Sequence, residues 1–344
     1  MPPSSDSPLP TVEDVARAAG VSTATVSRVL NKPEAVRAPL RAQVMAAVER
    51  LGYVPHAGAR ALSLRRSGTV GAVFPTVDNA IFAKAIDALQ RRLSEDGLQL
   101  LIATSDYDPE AEARQAMTLV TRGVDALVLC GHGQRPALLA LLRQRALPCV
   151  HVMSVDAADG EVCVGFDNRR GMADAARYLL TLGHRRIAML AGITRDNDRA
   201  RARVQGARDA LAEAGLDLPP SRLVERRYDL AEAREGLRML MAAKPLPTAV
   251  LCGNDVLATG ALLECAAAGV EVPRELSVVG FDDLDLARQW RPALTTVHVP
   301  TERMWTLAAE YLLDRLDGRV ADAVQREVDV ELVVRESTAR LRRR

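Results

Sequence analysis

The sequence predicts an α/β protein in which a small N-terminal three-helix unit precedes a core of two doubly wound parallel sheets. Two observations support this prediction. Apolar residues recur at helical spacing in three short segments between residues 11 and 51. From residue 67 onward, apolar runs of strand length alternate with amphipathic stretches. Such alternation is typical of repeated βαβ units, whose parallel sheets are covered by helices on both faces.

The first helix is predicted over about residues 11–18. Thr11 is a candidate N-cap, and two acidic residues follow it in the first turn, where the helix dipole favours anions. Gly20 then supplies the flexible residue that a tight turn between two helices needs. Ser22 is a candidate cap for a second helix, so the segment predicts a helical hairpin.

The second helix, predicted over residues 23–30, places Val26, Val29 and Leu30 on one side. Its other face is small, polar and basic, with Thr23, Ala24, Thr25, Ser27 and Arg28. Such a face suits the major groove of DNA, where hydroxyls reach phosphates and an arginine reads guanine. An ordinary helical hairpin packed on a core is the alternative, because this pattern alone occurs in many proteins.

A third helix is predicted over residues 37–51. It is followed by a short segment at 56–64 that is either a linker or a functional element.

Charge is distributed unevenly along the chain. Residues 11–66 contain nine Arg or Lys and four acids, a net charge of 9 − 4 = +5. The whole chain carries +1, so the remainder carries 1 − 5 = −4. This asymmetry favours a polyanion partner for the N-terminal segment.

The run T-x-x-D-V-A-x-x-A-G-V-S-x-x-T-V-S-R-V-L-N, followed by L-G-Y-x-P and A-R-x-L, resembles the lactose/galactose repressor family of bacterial transcription factors. The resemblance implies a helix-turn-helix DNA-binding domain over residues 11–54 and a hinge over 55–66 that folds on operator DNA. It also implies DNA contacts from Thr11, Ser22, Thr23, Ala24, Thr25, Ser27, Arg28, Asn31, His56, Ala59 and Leu62.

In that family the residue matching Leu62 wedges into the minor groove and bends the duplex. Two hinge positions depart from the usual pattern. His56 stands where the family often has Asn, and Gly58 stands where a β-branched residue or Ala is commoner.

The core is predicted from its apolar runs and amphipathic stretches. Strands are expected at 69–74, 98–103, 124–129, 147–152, 161–166, 185–190, 248–252 and 276–281, with a last strand at 327–337. Helices are expected at 82–96, 110–122, 168–182, 202–214, 230–243, 254–268 and 300–317.

The chain is expected to cross between two lobes three times, near residues 166–168, 292–297 and 326–330. The first lobe would then comprise 67–167 and 295–326, and the second 168–294 and 327–339. Residues 1–10 and the basic tail 340–344 are expected to be disordered.

Two such sheets imply a cleft, because ligands of open α/β folds lie at the carboxyl ends of the strands. The resemblance continues through GHRRIAMLAG, R-x-x-G, PTAVLCGND and LSVVGFDD. It implies a two-lobed core like that of periplasmic binding proteins, with a small-molecule effector between the lobes. The implied effector-binding residues are Ile81, Phe82, Arg203, Tyr228, Asn254 and Asp282.

Several of these residues have alternative roles. Arg203 suits sugar hydroxyls, a carboxylate or a phosphate, and the alternative is an interdomain salt bridge. We expect Arg203 and Asp282 to face each other from the two sheets, so that one ligand bridges both lobes. Ile81 and Phe82 either form an apolar wall or pack the sheet. A sugar, a sugar acid and a nucleobase all remain open as the effector class.

Other function classes find less support. No dinucleotide fingerprint follows a strand, and no P-loop or G-x-S-x-G is present, so no enzyme and no cofactor are expected. Five scattered cysteines suit a reducing cytoplasm, and five dispersed histidines predict no metal site. A periplasmic transport protein is disfavoured because neither a signal peptide nor a membrane span is recognised.

We therefore expect a cytoplasmic homodimeric repressor whose operator affinity is controlled by a small molecule. In the segment before Arg203, the remaining arginines are expected to be solvated loop charges: Arg195, Arg199 and Arg201.

Overall fold

The computed structural model describes residues 9–54, 66–155, 161–319 and 325–341. The chain divides into two compact units, residues 1–68 and 69–344. Three of the residues expected to contact DNA, His56, Ala59 and Leu62, lie outside the described residues. The same is true of residues 1–8, of nearly all of the expected hinge, and of the end of the basic tail.

The described part of the first unit contains three α-helices, as the sequence predicts: α1 Val12–Ala18, α2 Thr23–Asn31 and α3 Ala38–Leu51. Each helix contributes its apolar stripe to one small core, whose buried residues are Val15, Ala16, Ala19, Val26, Val29, Val44 and Ala47. The last helix ends at Gly52, which adopts the left-handed conformation (φ 60°) that commonly terminates helices.

The second unit contains the predicted alternation of strands and helices. Its strands are β1 Thr69–Phe74, β2 Gln99–Thr104, β3 Ala126–Cys130, β4 Cys149–Val152, β5 Cys163–Gly165, β6 Ile187–Gly192, β7 Leu223–Arg226, β8 Ala249–Cys252, β9 Ser277–Asp282, β10 Thr295–His298, β11 Gln325–Glu327 and β12 Glu331–Val333. Its helices are α4 Ala80–Glu95, α5 Pro109–Thr121, α6 Pro136–Gln144, α7 Asn168–Thr181, α8 Asp198–Glu213, α9 Leu230–Ala242, α10 Asp255–Ala268 and α11 Thr301–Leu316.

The strands form two six-stranded sheets, one in each lobe. The first has the order β11-β5-β4-β3-β1-β2 and is parallel throughout. The second has the order β12-β10-β9-β8-β6-β7 and is parallel except for β12. The predicted class of two doubly wound sheets is confirmed.

The three segments that join the lobes follow from this strand order. They run from β5 to α7, from β10 to α11, and from β11 to β12. The second crossing is later than expected. Residues 295–298, assigned to the first lobe from the sequence, form β10 and pair with β9 in the second sheet.

The last predicted strand, 327–337, is wrong as a single element. Its start belongs to β11 in the first sheet, and β12 lies in the second. The chain changes sheets between them, where the Asp329 side chain is 99% exposed. The structure also orders part of the expected tail, because the Leu341 amide donates to the carbonyl of Leu182.

Three elements have no counterpart in the sequence prediction: α6, β7 and β10. The edge strand β7 has only four half-buried residues, two of them charged, so it lacks an apolar run. The helix α8 also begins four residues earlier than expected, at Asp198, because its first turns are rich in arginine.

Candidate functional sites

The first turn of α1 is fixed by a reciprocal pair of caps. The Asp14 amide donates to Thr11 Oγ1, and the Thr11 amide donates to the Asp14 carboxylate at 3.0 Å. These bonds from Thr11, together with Arg17, lower the pKa of Asp14. The Thr11 hydroxyl also donates to Asp14 at 2.8 Å, so this side chain is already used within the helix.

The turn between α1 and α2 is held from both sides. Gly20 adopts φ 60°, which suits the short turn expected from the sequence. From α3, the Gln43 amide donates to the Ala19 carbonyl at 2.9 Å. This bond joins α3 to the C-terminal end of α1, immediately before the turn that leads into α2.

Two hydroxyls lie side by side at the start of α2. Ser22 Oγ accepts the Thr25 amide, as an N-cap does, and lies 2.9 Å from Thr25 Oγ1. One hydroxyl donates to the other in this pair. The second hydroxyl therefore keeps its hydrogen for an external acceptor such as a phosphate oxygen.

The outer face of α2 is open. Thr23, Ala24 and Arg28 are exposed, whereas Ser27 and Asn31 are half-buried and bonded to each other at 3.2 Å. Among the described residues, the Arg28 guanidinium has no carboxylate within ion-pair distance. The face thus offers a cation without an acidic partner, hydroxyls and a small apolar residue. Side chains of these kinds contact base edges in a DNA groove.

A second candidate site lies between the lobes of the core. An open cavity of about 600 Å³ is lined from the first lobe by Asp78, Asn79 and Tyr107, and from the second by Asn197 and Tyr228, among others. Behind it is a pocket of about 20 Å³. All six residues that the sequence analysis assigned to the effector line this inner pocket: Ile81, Phe82, Arg203, Tyr228, Asn254 and Asp282.

Arg203 is held on three sides. Its Nε donates to Asn168 Oδ1 at 2.9 Å, one terminal nitrogen donates to the Gly253 carbonyl at 2.6 Å, and the other lies 3.5 Å from Asp282. The guanidinium also covers the ring of Phe281 at 3.8 Å. Three of five N–H donors are thus used, and two remain for a ligand.

The expectation that Arg203 and Asp282 face each other from two sheets is wrong. Arg203 belongs to α8 and Asp282 ends β9, and both elements belong to the second lobe. Burial raises the pKa of Asp282 to about 6, although Arg203 opposes the rise. The pair forms one wall of the inner pocket, and Ile81 and Phe82 border the same pocket from the first lobe.

Two tyrosines meet across the cleft. The rings of Tyr107, from the first lobe, and Tyr228, from the second, are 5.7 Å apart and tilted by 47°. Gly192 makes the position of Tyr228 possible, because a Cβ there would lie 2.1 Å from the Tyr228 hydroxyl oxygen. Burial raises the pKa of both tyrosines, so both remain neutral donors.

The other predicted effector residues have structural duties as well. Asn254 Oδ1 accepts the Leu257 amide and caps α10. Ile81 and Phe82 are each 3% exposed, and the Phe82 ring contacts that of Phe74 edge-on at 5.9 Å. The two alternatives considered for Ile81 and Phe82 therefore coincide, because they pack the first lobe and also border the pocket.

Sequence reasoning missed five residues of the inner pocket: Asn79, Tyr107, Met153, Asn197 and Arg199. The expectation that Arg199 is a solvated loop charge is wrong, since this residue is 8% exposed and pairs with Asp198 at 3.0 Å. Tyr107 had one available signal. It comes four residues after the predicted strand 98–103, and Asn254 and Asp282 also lie just after predicted strands.

The backbone around the cleft is unusual. Of the described non-glycine residues, seven have positive φ, and five of them line the two cavities: Asp106, Tyr107, Met153, Asp196 and Asp282. Such conformations cost about 1–3 kcal/mol each. Their concentration at strand ends around one cleft marks it as the functional part of the core.

None of the helices in the described part of the chain combines the length and apolar composition that a bilayer-spanning segment requires.

Two family models match the chain. Residues 11–56 match the bacterial regulatory proteins of the lacI family, and residues 176–338 match the periplasmic binding protein-like domain. The ribose operon repressor of Escherichia coli K12 is 34% identical over 90% of this chain and 93% of its own length.

Solved structures show the same likeness. A transcriptional regulator, CelR, in complex with cellobiose is 31% identical and covers 95% of this chain and 99% of its own (TM-score 0.71). The lac repressor dimer bound to operator and an anti-inducer is 25% identical and covers 96% and 100% (TM-score 0.83). With its N-terminal helical unit, its two-lobed core and relatives matched over nearly their whole length, this chain belongs to the lacI family of bacterial transcriptional regulators.

Proposed function

We propose that this regulator is a repressor that binds a pseudo-palindromic operator as a homodimer. Its affinity for the operator falls or rises when a carbohydrate-like effector occupies the cleft. The open face of α2, where Arg28 has no acidic partner among the described residues, is the observation that carries the DNA-binding half of the proposal. The operator-bound dimer of the lac repressor supports the dimeric arrangement. Regulation of this kind needs no catalysis, and the cytoplasm is where its DNA partner lies.

The DNA contacts divide by chemistry. We assign base contacts to Thr23, Ala24 and Arg28, because they are the exposed residues of the outer face. The hydroxyls of Ser22 and Thr25 suit phosphate oxygens. Thr11 and Ser27 are proposed to contact phosphates as well, together with Asn31; for Thr11 this requires its hydroxyl to turn from Asp14 to the phosphate. From the hinge, His56, Ala59 and the wedge residue Leu62 remain proposals that rest on the sequence alone.

A binding selection tests the DNA assignment. Wild-type protein selects its preferred duplex from a random library, and fluorescence anisotropy then measures its affinity for that duplex. We expect the triple variant Thr23→Ala, Ala24→Gly, Arg28→Ala to lose most of the sequence preference, with about 1–3 kcal/mol from Arg28 alone. Arg122→Ala, which removes an exposed charge at the end of α5, is the control.

The same duplex tests the hinge. Leu62→Ala should reduce both operator bending and affinity. Unchanged affinity in the triple variant would refute the proposed role of α2, and an unchanged bend with Leu62→Ala would reduce the hinge to a linker.

The chemistry of the inner pocket favours a polyhydroxylated effector. A sugar hydroxyl both donates and accepts, so it can accept from a free N–H of Arg203 and donate to Asp282. A ligand carboxylate would instead approach the Asp282 carboxyl, and the two anions would repel. Tyr107 and Tyr228 add ring faces, which stack on the apolar side of a sugar. The cellobiose complex of CelR is consistent with this class.

Cavity size implies that the lobes move. The inner pocket of about 20 Å³ has room for little more than a water molecule, while the outer cavity of about 600 Å³ is large enough for a sugar. A ligand that contacts Arg203 and Ile81 together therefore needs the lobes to separate. Binding energy can change operator affinity only through such a difference between two states.

A thermal-shift panel of sugars, sugar acids and purines tests the effector class. A ligand at 100 times its dissociation constant should stabilise the protein by about 2.7 kcal/mol. For a ligand so identified, Asp282→Asn should bind operator but respond to at least tenfold higher ligand concentrations. Asp217→Asn, an exposed site on the second lobe, is the control. A purine hit, or an unaltered response of Asp282→Asn, would contradict the assignment.

A further inference from the structure

Three potential metal-ligating side chains converge in the first lobe, next to the cleft: His132, His151 and Glu161. Their ligand atoms all lie within 4.8 Å of one another. The sequence predicted no metal site because its histidines are dispersed. Strand pairing removes this separation, since Leu129 of β3 is in register with His151 of β4, and His132 follows β3 by two residues.

His132 lacks the partners that a buried imidazole normally has. Its side chain is only 9% exposed, yet neither ring nitrogen has a hydrogen-bond partner among the described residues. Its Nδ1 lies 3.4 Å from Glu161 Oε2. A buried polar atom without a hydrogen bond is costly and is uncommon in native proteins, so this ring is suited to an external ligand.

His151 is oriented as a metal-ligating histidine is. Its Nδ1 donates to the Gly131 carbonyl at 3.1 Å, which leaves the lone pair on Nε2. Metal-bound histidines usually donate their second ring nitrogen to a carbonyl or carboxylate in this way. The rings of His151 and His132 are stacked 4.8 Å apart. Burial and the neighbouring His132 lower the pKa of His151, which favours its neutral form.

We propose that His132, His151 and Glu161 bind a divalent metal ion of the zinc type. Two imidazoles and one carboxylate favour zinc and similar transition metals over calcium or magnesium, which prefer more oxygen ligands. Bonds of about 2.0–2.1 Å place tetrahedral donors about 3.4 Å apart. The pair His132–Glu161 already has this spacing, and the remaining distances close by side-chain rotation of about 1.4 Å at most.

The position of the site gives the metal a structural consequence. The backbone amide of His132 donates to Asp198 Oδ2 at 2.9 Å, and Asp198 begins α8 in the second lobe. Metal bound to the His132 ring therefore holds the loop that contacts the opposite lobe. The ion also lies outside the proposed effector contacts, so its binding is measurable without any effector.

Metal titration of the full-length, tag-free protein tests the proposal. After treatment with a chelator and dialysis, Zn²⁺ is added in a calorimeter, and Co²⁺ is followed by its visible ligand-field absorption. We expect one equivalent per chain in the wild type. His132→Ala and Glu161→Gln should each weaken binding at least tenfold. His298→Ala, which changes a histidine outside the cluster, should bind as the wild type does.

Thermal unfolding provides a second measurement that does not depend on the calorimeter. Zn²⁺ should raise the melting temperature of the wild type and of His298→Ala but not that of Glu161→Gln, whose side chain keeps its size. Equal Zn²⁺ affinity in all variants, or no stoichiometric binding by the wild type, would overturn the proposal. A loss of stability in Glu161→Gln that is the same with and without Zn²⁺ would reduce the cluster to a His–Glu ion pair.

Discussion

At the scale of single residues, the buried carboxyl of Asp255 is the most perturbed acid of the second lobe. Thr296 donates to it at 2.6 Å and the Leu284 amide at 2.7 Å. Burial, followed by the nearby Asp282, raises the pKa of Asp255 to about 8. Gly280 leaves room for it, since a Cβ there would lie 2.2 Å from Asp255 Oδ1. The protonated form is therefore the one that the fold favours.

Asp255 should make stability depend on pH. Its pKa is higher in the folded state than the usual 3.8, so its contribution is fully present below about pH 4 and is lost as pH rises towards 8. Asp255→Asn keeps the shape without the charge. We expect its stability relative to the wild type to increase between pH 5 and pH 8 in urea unfolding. Parallel curves for the two proteins would contradict the buried, protonated carboxyl.

At the scale of elements, the contact between α7 and α8 explains the second half of the R-x-x-G motif. Arg203 reaches the cleft, whereas Gly206 faces α7. A Cβ on Gly206 would lie 2.0 Å from the Arg169 carbonyl oxygen. The motif thus combines a cation that lines the inner pocket with a close approach of two helix backbones.

Gly206→Ala should destabilise the core by about 1–3 kcal/mol, although alanine is about 1 kcal/mol the better helix former. The reason is that the added Cβ would clash with the Arg169 carbonyl oxygen, a backbone atom that cannot rotate away as a side chain can. Urea unfolding of the variant measures the loss. Arg208→Ala, an exposed site on the same helix, should be nearly neutral. A Gly206→Ala protein as stable as the wild type would mean that the helices separate without cost.

Individual helices and strands also show which structural features can be predicted from the sequence and which cannot. Long periodic segments such as α4 and α10 were predicted within two residues, because an apolar stripe on a long helix is a local signal. The edge strand β7 was missed because pairing with β6 creates it. The cluster of His132, His151 and Glu161 was missed for the same reason, since only strand register brings these residues together. Arg199 was misassigned because α8 begins four residues earlier than predicted, so that residue 199 lies within a helix and not in a loop.

At the scale of the whole molecule, the outer edge of the first sheet exposes apolar side chains. β2 is the terminal strand, and its Leu101 and Ile102 are 36% and 43% exposed. An apolar edge strand invites pairing or aggregation unless another surface covers it. We infer that a second copy of the chain, in the proposed homodimer, covers this edge.

Ile102→Asp should therefore weaken dimerisation at least tenfold, because the partner surface would bury an unpaired charge. Sedimentation at several concentrations measures the effect, and operator binding should need more protein. Leu246→Asp changes a comparably exposed apolar residue (40%) elsewhere and should stay dimeric. If Ile102→Asp dimerises as the wild type does, β2 is not the interface.

The three crossings between the lobes have a consequence for how the protein is made. The first sheet gains β11 only at residues 325–327, and the second gains β12 only at 331–333. A nascent chain therefore cannot complete either lobe until almost all of it has left the ribosome. The helical unit, by contrast, is complete in sequence by residue 54. A chain whose synthesis stopped early would therefore have a complete DNA-binding unit and an incomplete core.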